Sequence, residues 1–130
     1  MMIRTLFLAA LLLAGTPALL AAQGKNPCPD ARTQTEMNVC AAERYARAGS
    51  LLNARYQRLL AVIAGEPHRV EALRAAQRAW IAFRDAHCAF EASAFEGGTM
   101  QPMVEALCRA NVTARRSNEL ALLLRFTDEG

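Results

Sequence analysis

Residues 33–63 read TQTEMNVCAAERYARAGSLLNARYQRLLAVI, and this stretch decides the fold. Met37, Ala41, Tyr45, Ala48, Leu52, Tyr56, Leu59 and Ile63 recur every three or four positions. Side chains at that spacing lie along one face of an α-helix. Thr33 and Glu36 form a capping box at its start, each side chain able to satisfy a backbone amide of the other. Gly65 is expected to close this helix, and Pro67 suits the first turn of the next, where its missing N–H costs nothing.

Working outward, the second helix is expected from about Pro67 to Ala94. Val70, Leu73, Ala76, Trp80, Phe83 and His87 line one face, with Gln77, Arg84 and Cys88 alongside. Gly97-Gly98 ends it, since paired glycines favour turns. Thr99 is expected to cap a third helix whose buried stripe is Met103, Leu107, Ala110, Ala114, Ser117, Ala121 and Leu124. Residues 23–32 should be extended, and residues 127–130 should fray. No segment alternates with period two. The expectation is all-α: a small antiparallel three-helix bundle, because short connections make consecutive helices antiparallel neighbours.

The chain begins Met1-Met2-Ile3-Arg4, continues apolar through Leu6–Leu13, and reaches the small residues Ala21 and Ala22. This is the pattern of a signal peptide, expected over residues 1–22. Gly15 and Pro17 cut the apolar run below the roughly 20 residues a membrane-spanning helix needs. A single domain of residues 23–130 then remains, periplasmic or secreted, with no stable membrane anchor after cleavage. The first cysteine, Cys28, stands six positions past the expected cut, too late for lipid attachment there.

Those 108 residues carry 14 Lys and Arg against 12 Asp and Glu, a net of +2. Nucleic acid, which wants a concentrated basic stripe, is therefore not an expected partner.

Cys28, Cys40, Cys88 and Cys108 form an even set, which in an exported small domain reads as two disulfides. Zinc is the weaker reading, because no Cys-x-x-Cys occurs and the histidines are only His68 and His87. Cys28–Cys40 and Cys88–Cys108 are the favoured pairs, each joining chain neighbours across a turn. Cys40–Cys88 remains open, since the two fall at nearly equal heights on antiparallel helices.

Catalysis needs a nucleophile beside a base, or two carboxylates in a cleft. The chain has no His-Glu-x-x-His, no glycine-rich phosphate loop and no Ser-His-Asp order. His87 neighbours Cys88, but a cysteine held in a disulfide is no nucleophile. No catalytic residue, metal site or cofactor is expected. Asn38, Gln77, Trp80 and Arg84 are read as a structural polar network that sets helix register, with Arg84 stacking on the indole. Arg84 and its neighbour Asp85 are not expected to face each other along the helix. A recognition surface is sought in loops, and the candidate is Glu96-Gly97-Gly98-Thr99, pinned beneath by cysteines.

Several motifs together resemble the LprI-like lysozyme-inhibitor domain family. They are Thr33-Gln34-x-Glu36-Met37-Asn38-x-Cys40, Leu52-Asn53-x-x-Tyr56, and Gln77-Arg78-x-Trp80-Ile81-x-Phe83-Arg84-Asp85-Ala86-x-Cys88, completed by Gly97-Gly98-Thr99, Cys108, Thr113 and Arg116. The resemblance implies a small helical exported protein, not an enzyme, that occludes a lysozyme-type glycan hydrolase. The alternative is an envelope protein-binding module without effect on lysozyme.

Overall fold

The structure is a computed structural model that describes residues 26–128, apart from the side chain of Asp128. The expected signal peptide over residues 1–22 lies outside the described residues. Three helices follow one another: α1 (Gln34–Val62), α2 (Pro67–Ser93) and α3 (Gln101–Asp128). The fold is the expected antiparallel three-helix bundle with two disulfides, and the described residues contain no strand.

The start of α1 is built as its sequence suggests. The Thr33 hydroxyl accepts from the Glu36 amide at 3.2 Å, and Glu36 Oε2 accepts from the Thr33 amide at 2.9 Å. The other end departs from expectation. α1 stops at Val62, and Gly65 does not take the left-handed conformation, because Gly97 alone has positive φ among the described residues. The turn closes by short backbone bonds such as Glu66 N–H to the Ile63 carbonyl at 2.9 Å. Pro67 disfavours the helical region for the residue before it, and Glu66 lies outside that region at φ −122° and ψ 79°.

α3 is the central element. It packs along α1 most extensively and also against α2, while the α1 and α2 backbones scarcely approach. Long side chains fill the α1–α2 seam instead: Tyr56 and Trp80 both pack on the core of Leu52, Leu59, Ile63, Leu120 and Leu124. A second cluster of Cys88, Cys108 and Val112 meets Trp80 from the other side. Trp80 therefore joins the two parts of the core.

This arrangement corrects two expected stripes. On α2 the inward line is Val70, Leu73, Gln77, Trp80, Arg84, Cys88 and Ala92, whereas Ala76 and Phe83 are exposed. The helix is rotated so that polar Gln77 and Arg84 point in and apolar Phe83 points out. On α3, Val112, Thr113 and Leu120 are buried and Ala114 is exposed, because a helix packed between two others buries two faces. Small residues let α3 come close to α1: Ala41 is fully buried, as are Thr113 and, to 1%, Ser117. α3 also begins at Gln101, two residues beyond the expected Thr99 cap, and stays helical through Thr127 and Asp128, where fraying was expected.

Candidate functional site

The end of the bundle that carries both disulfides also carries the candidate loop. Cys28–Cys40 ties the segment before α1 to the second turn of that helix, and Cys88–Cys108 ties α2 to α3 one turn or more below the loop. Both favoured pairings are therefore the ones that form, and no described cysteine is free. Cys40–Cys88 does not form, because Cys88 faces α3 while Cys40 turns toward the incoming segment.

Between α2 and α3 the chain descends through tight turns. Phe95 N–H reaches the Ala92 carbonyl, Glu96 the Ser93 carbonyl, and Gly98 the Phe95 carbonyl at 2.9 Å. Gly97 has φ +76°, a conformation that other residues adopt only with strain. Its amide is bonded to Gln101 Oε1 at 3.1 Å, so the helix that follows caps the loop that precedes it. A Cβ on Gly98 would meet the Phe95 carbonyl oxygen at 3.2 Å. Glu96, Gly97, Gly98 and Thr99 are all exposed.

Asn38 supports this tip from α1. Its Nδ2 donates to the Thr99 carbonyl at 3.2 Å, and its Oδ1 accepts from Gln34 Nε2 at 2.9 Å. Thr99 thus contributes through its backbone oxygen, held by α1.

The other residues expected to form one polar network form separate contacts. Gln77 is buried at 7% exposure and its Oε1 accepts from Arg116 Nε at 3.3 Å, which joins α2 to α3. The Arg84 guanidinium lies 5.2 Å from the Trp80 ring centroid and 5.5 Å from that of Tyr45, a cation held between two aromatic faces. Asn38 touches neither group among these bonds. The expectation for Arg84 and Asp85 is corrected as well. Arg84 Nε donates to Asp85 Oδ1 at 2.8 Å, because the long arginine side chain bends back across one residue to reach it. Asp85 also faces Arg109 of α3 at 3.8 Å, and Arg109 pairs with Glu105 at 2.7 Å.

Charge is divided between the two ends. Residues 26–47 and 84–109, at the disulfide end, hold seven carboxylates against five arginines. Residues 51–78 and 111–128, at the other end, hold four carboxylates against eight arginines. The small net charge hides this asymmetry.

One titration is displaced at the acidic end. Glu36 is held below the ordinary glutamate value, first by the Arg32 amide donating to its carboxylate at 2.7 Å and next by the Thr33 amide. Hydrogen bonds to the ionised form favour it.

Sequence reasoning missed an aromatic face on α2. Phe83 stacks on His87 with centroids 5.3 Å apart, His87 Nε2 lies 3.0 Å from Glu91, and Phe90 is 76% exposed. The spacing of Phe83, His87 and Phe90 marks one side of a helix, but Phe83 and His87 were assigned to the core side. His87, Glu91 and Cys108 bring three metal-type donor atoms within 4.8 Å of one another. The Cys108 sulfur is committed to its disulfide, which leaves an imidazole and a carboxylate, short of a metal site.

Polar side chains here are spent on joining helices and holding a glycine tip, and the class so defined is a small all-α domain stapled by two disulfides. The family described as Lysozyme inhibitor LprI matches residues 25–120, and the chain belongs to that family. An uncharacterized protein of Rhizobium meliloti (strain 1021) is 34% identical over 130 residues, an alignment that covers 92% of this chain and 94% of the relative. No solved structure matches the chain.

Proposed function

We propose that this protein inhibits a lysozyme-type glycan hydrolase outside the cytoplasm by seating the Glu96–Thr99 tip in the enzyme's substrate cleft. Membership of a lysozyme-inhibitor family supports the role. The observation that carries the mechanism is the braced acidic tip, exposed but fixed by the Cys88–Cys108 bridge, the Gln101 side chain and Asn38. A loop ordered before binding loses little conformational entropy in the complex. The surplus of carboxylates around it would steer a basic hydrolase toward that end, despite the positive net charge of the whole chain. Inhibition then works by occlusion, with no bond made or broken and no cofactor.

The test is lysis of bacterial cell walls by a lysozyme, with added wild-type protein, Glu96→Ala or Gly97→Pro. Wild type slows lysis at micromolar concentration or below, and Glu96→Ala weakens this. Gly97→Pro abolishes it, because proline cannot adopt φ +76° and lacks the amide that bonds Gln101. Circular dichroism confirms that each variant keeps its helices. Undiminished lysis across the main lysozyme types rejects the proposal.

The face formed by exposed Phe83 and Phe90 with half-buried His87 favours a second reading, an envelope protein-binding module that leaves lysozyme untouched. Retrieval of one distinct partner from envelope extract, lost on Phe90→Ser, distinguishes the two.

A further inference from the structure

The end of the bundle remote from the disulfides is cationic and apolar at once. The last turns of α3 border two adjoining grooves there. One, of about 580 Å³, lies between the three helices; Leu59, Ile63, Leu73, Leu123 and Phe126 are among its apolar lining, and the Glu66–Arg69 ion pair borders it. The other, of about 510 Å³, lies between α1 and α3, and three arginines, Arg55, Arg58 and Arg125, rim its floor of Ala54, Ala121 and Leu124. Phe126 is 72% exposed at the mouth of the first groove, and Val62, Leu122 and Leu123 are each more than 40% exposed nearby. Among the described residues, no carboxylate pairs with Arg125 on this rim.

Exposed apolar side chains bordered by several arginines form a surface suited to a partner that covers both. The chemistry required of that partner is an apolar phase bounded by a layer of negative charge. We infer that this end docks reversibly on an anionic phospholipid bilayer, with Phe126 and Leu123 entering the interface while the arginines meet lipid phosphates. Guanidinium groups match phosphate oxygens in geometry, and each arginine near such a surface is worth roughly five-fold in partitioning. The contact is peripheral, since no described helix is long and apolar enough to cross a membrane. A second copy's acidic tip could also meet the positive charge. Each such head-to-tail contact would leave another basic end open and propagate a filament, whereas a bilayer covers charge and apolar surface in one closed event. Docked this way, the bundle holds its glycine tip away from the bilayer. The inference stands on different residues from the inhibitor reading and survives its failure.

Sedimentation with lipid vesicles tests it, using protein recovered after export with its N-terminus checked by mass, so that an uncleaved leader cannot contribute. Vesicles of mixed phosphatidylglycerol and phosphatidylcholine should carry the protein down, and pure phosphatidylcholine should not. Arg58→Gln combined with Arg125→Gln, both on the groove rim, should lower partitioning at least tenfold, Phe126→Ser severalfold, and Glu96→Ala should leave it unchanged. Raising the salt should release the protein, because these charges are exposed. The exposed positions keep the variants folded, and circular dichroism verifies this. Equal binding to both vesicle types, or indifference to the arginine and Phe126 changes, overturns the inference. So does concentration-dependent self-association that Glu96→Ala abolishes while vesicles are ignored, which would assign the surface to a second copy.

Discussion

The side-chain amide of Asn38 donates to the backbone carbonyl of Thr99, at 3.2 Å and across 61 residues of sequence. One helix thereby holds the turn between the other two. The same Asn38 is steadied by Gln34 one helical turn earlier, so the donor is oriented before the loop meets it. Replacing Asn38 with alanine should cost about 1 kcal/mol of stability, the usual net worth of such a bond. The larger effect should be local, seen as faster hydrogen exchange at Gly98 and Thr99 and weaker inhibition of lysis. Unchanged exchange at those amides would show that the turn needs no support from α1.

The two disulfides should differ in what they protect. Cys88–Cys108 closes a loop of about 20 residues between two packed helices and lies against Trp80 and Val112. Replacing both its cysteines with serine should cost about 3 kcal/mol by the loop-entropy estimate, and more through buried hydroxyls in an apolar cluster. Cys28–Cys40 closes 12 residues and ties down a terminal segment, so its loss should release residues 26–32 and leave most of the bundle's melting temperature intact. Thermal melts of the two double variants, alongside fully reduced wild type, check the ranking.

Thr113 offers a stabilising change. It is fully buried, and its hydroxyl has no hydrogen-bond partner. A buried unsatisfied polar atom costs about 1–3 kcal/mol. Valine has nearly the same shape without the hydroxyl, so Thr113→Val should raise stability by about 1 kcal/mol in chemical denaturation. A loss of stability instead would mean that the hydroxyl has a partner in solution.

How much of this could be read from the chain depends on which force sets each feature. The capping box at Thr33 and Glu36, the three helices and the glycine break are local, so spacing and turn chemistry reveal them. The rotation of α2 is not local. Ala76 and Phe83 are apolar by composition, yet Gln77 and Arg84 face inward because Arg116 supplies a partner for one and Tyr45 with Trp80 supplies aromatic faces for the other. Tertiary partners decide the burial of polar side chains, and a one-dimensional hydrophobic pattern does not contain them. The two-sided burial of α3 is hidden for the same reason, since Thr113 and Ser117 give no apolar signal. At the tip, Gly97 announced itself by type, whereas the brace from Asn38 depends on how two distant segments meet. Charge segregation is legible only after folding shows which halves of the helices share an end.

Acid should loosen the acidic end before the rest. Glu36 accepts amide bonds from Arg32 and Thr33, and its carboxyl is held below the ordinary glutamate value in the folded protein. In the unfolded chain it regains that ordinary value, so between the two values the unfolded state binds the extra proton. Stability from this group is therefore fully present above the unfolded value and falls as pH drops through the folded one. Because the group is exposed, the global effect should be small, and the local one should be fraying of the first turn of α1. Glu36→Gln can still accept an amide bond, but it carries no charge at the helix N-terminus, where negative charge is favoured. That variant should show the loosened first turn already at neutral pH and little further change on acidification. Amide exchange at Gln34–Met37, followed from neutral to mildly acidic pH in wild type and variant, measures this. Parallel acid responses in the two proteins would place the sensitive carboxylate elsewhere.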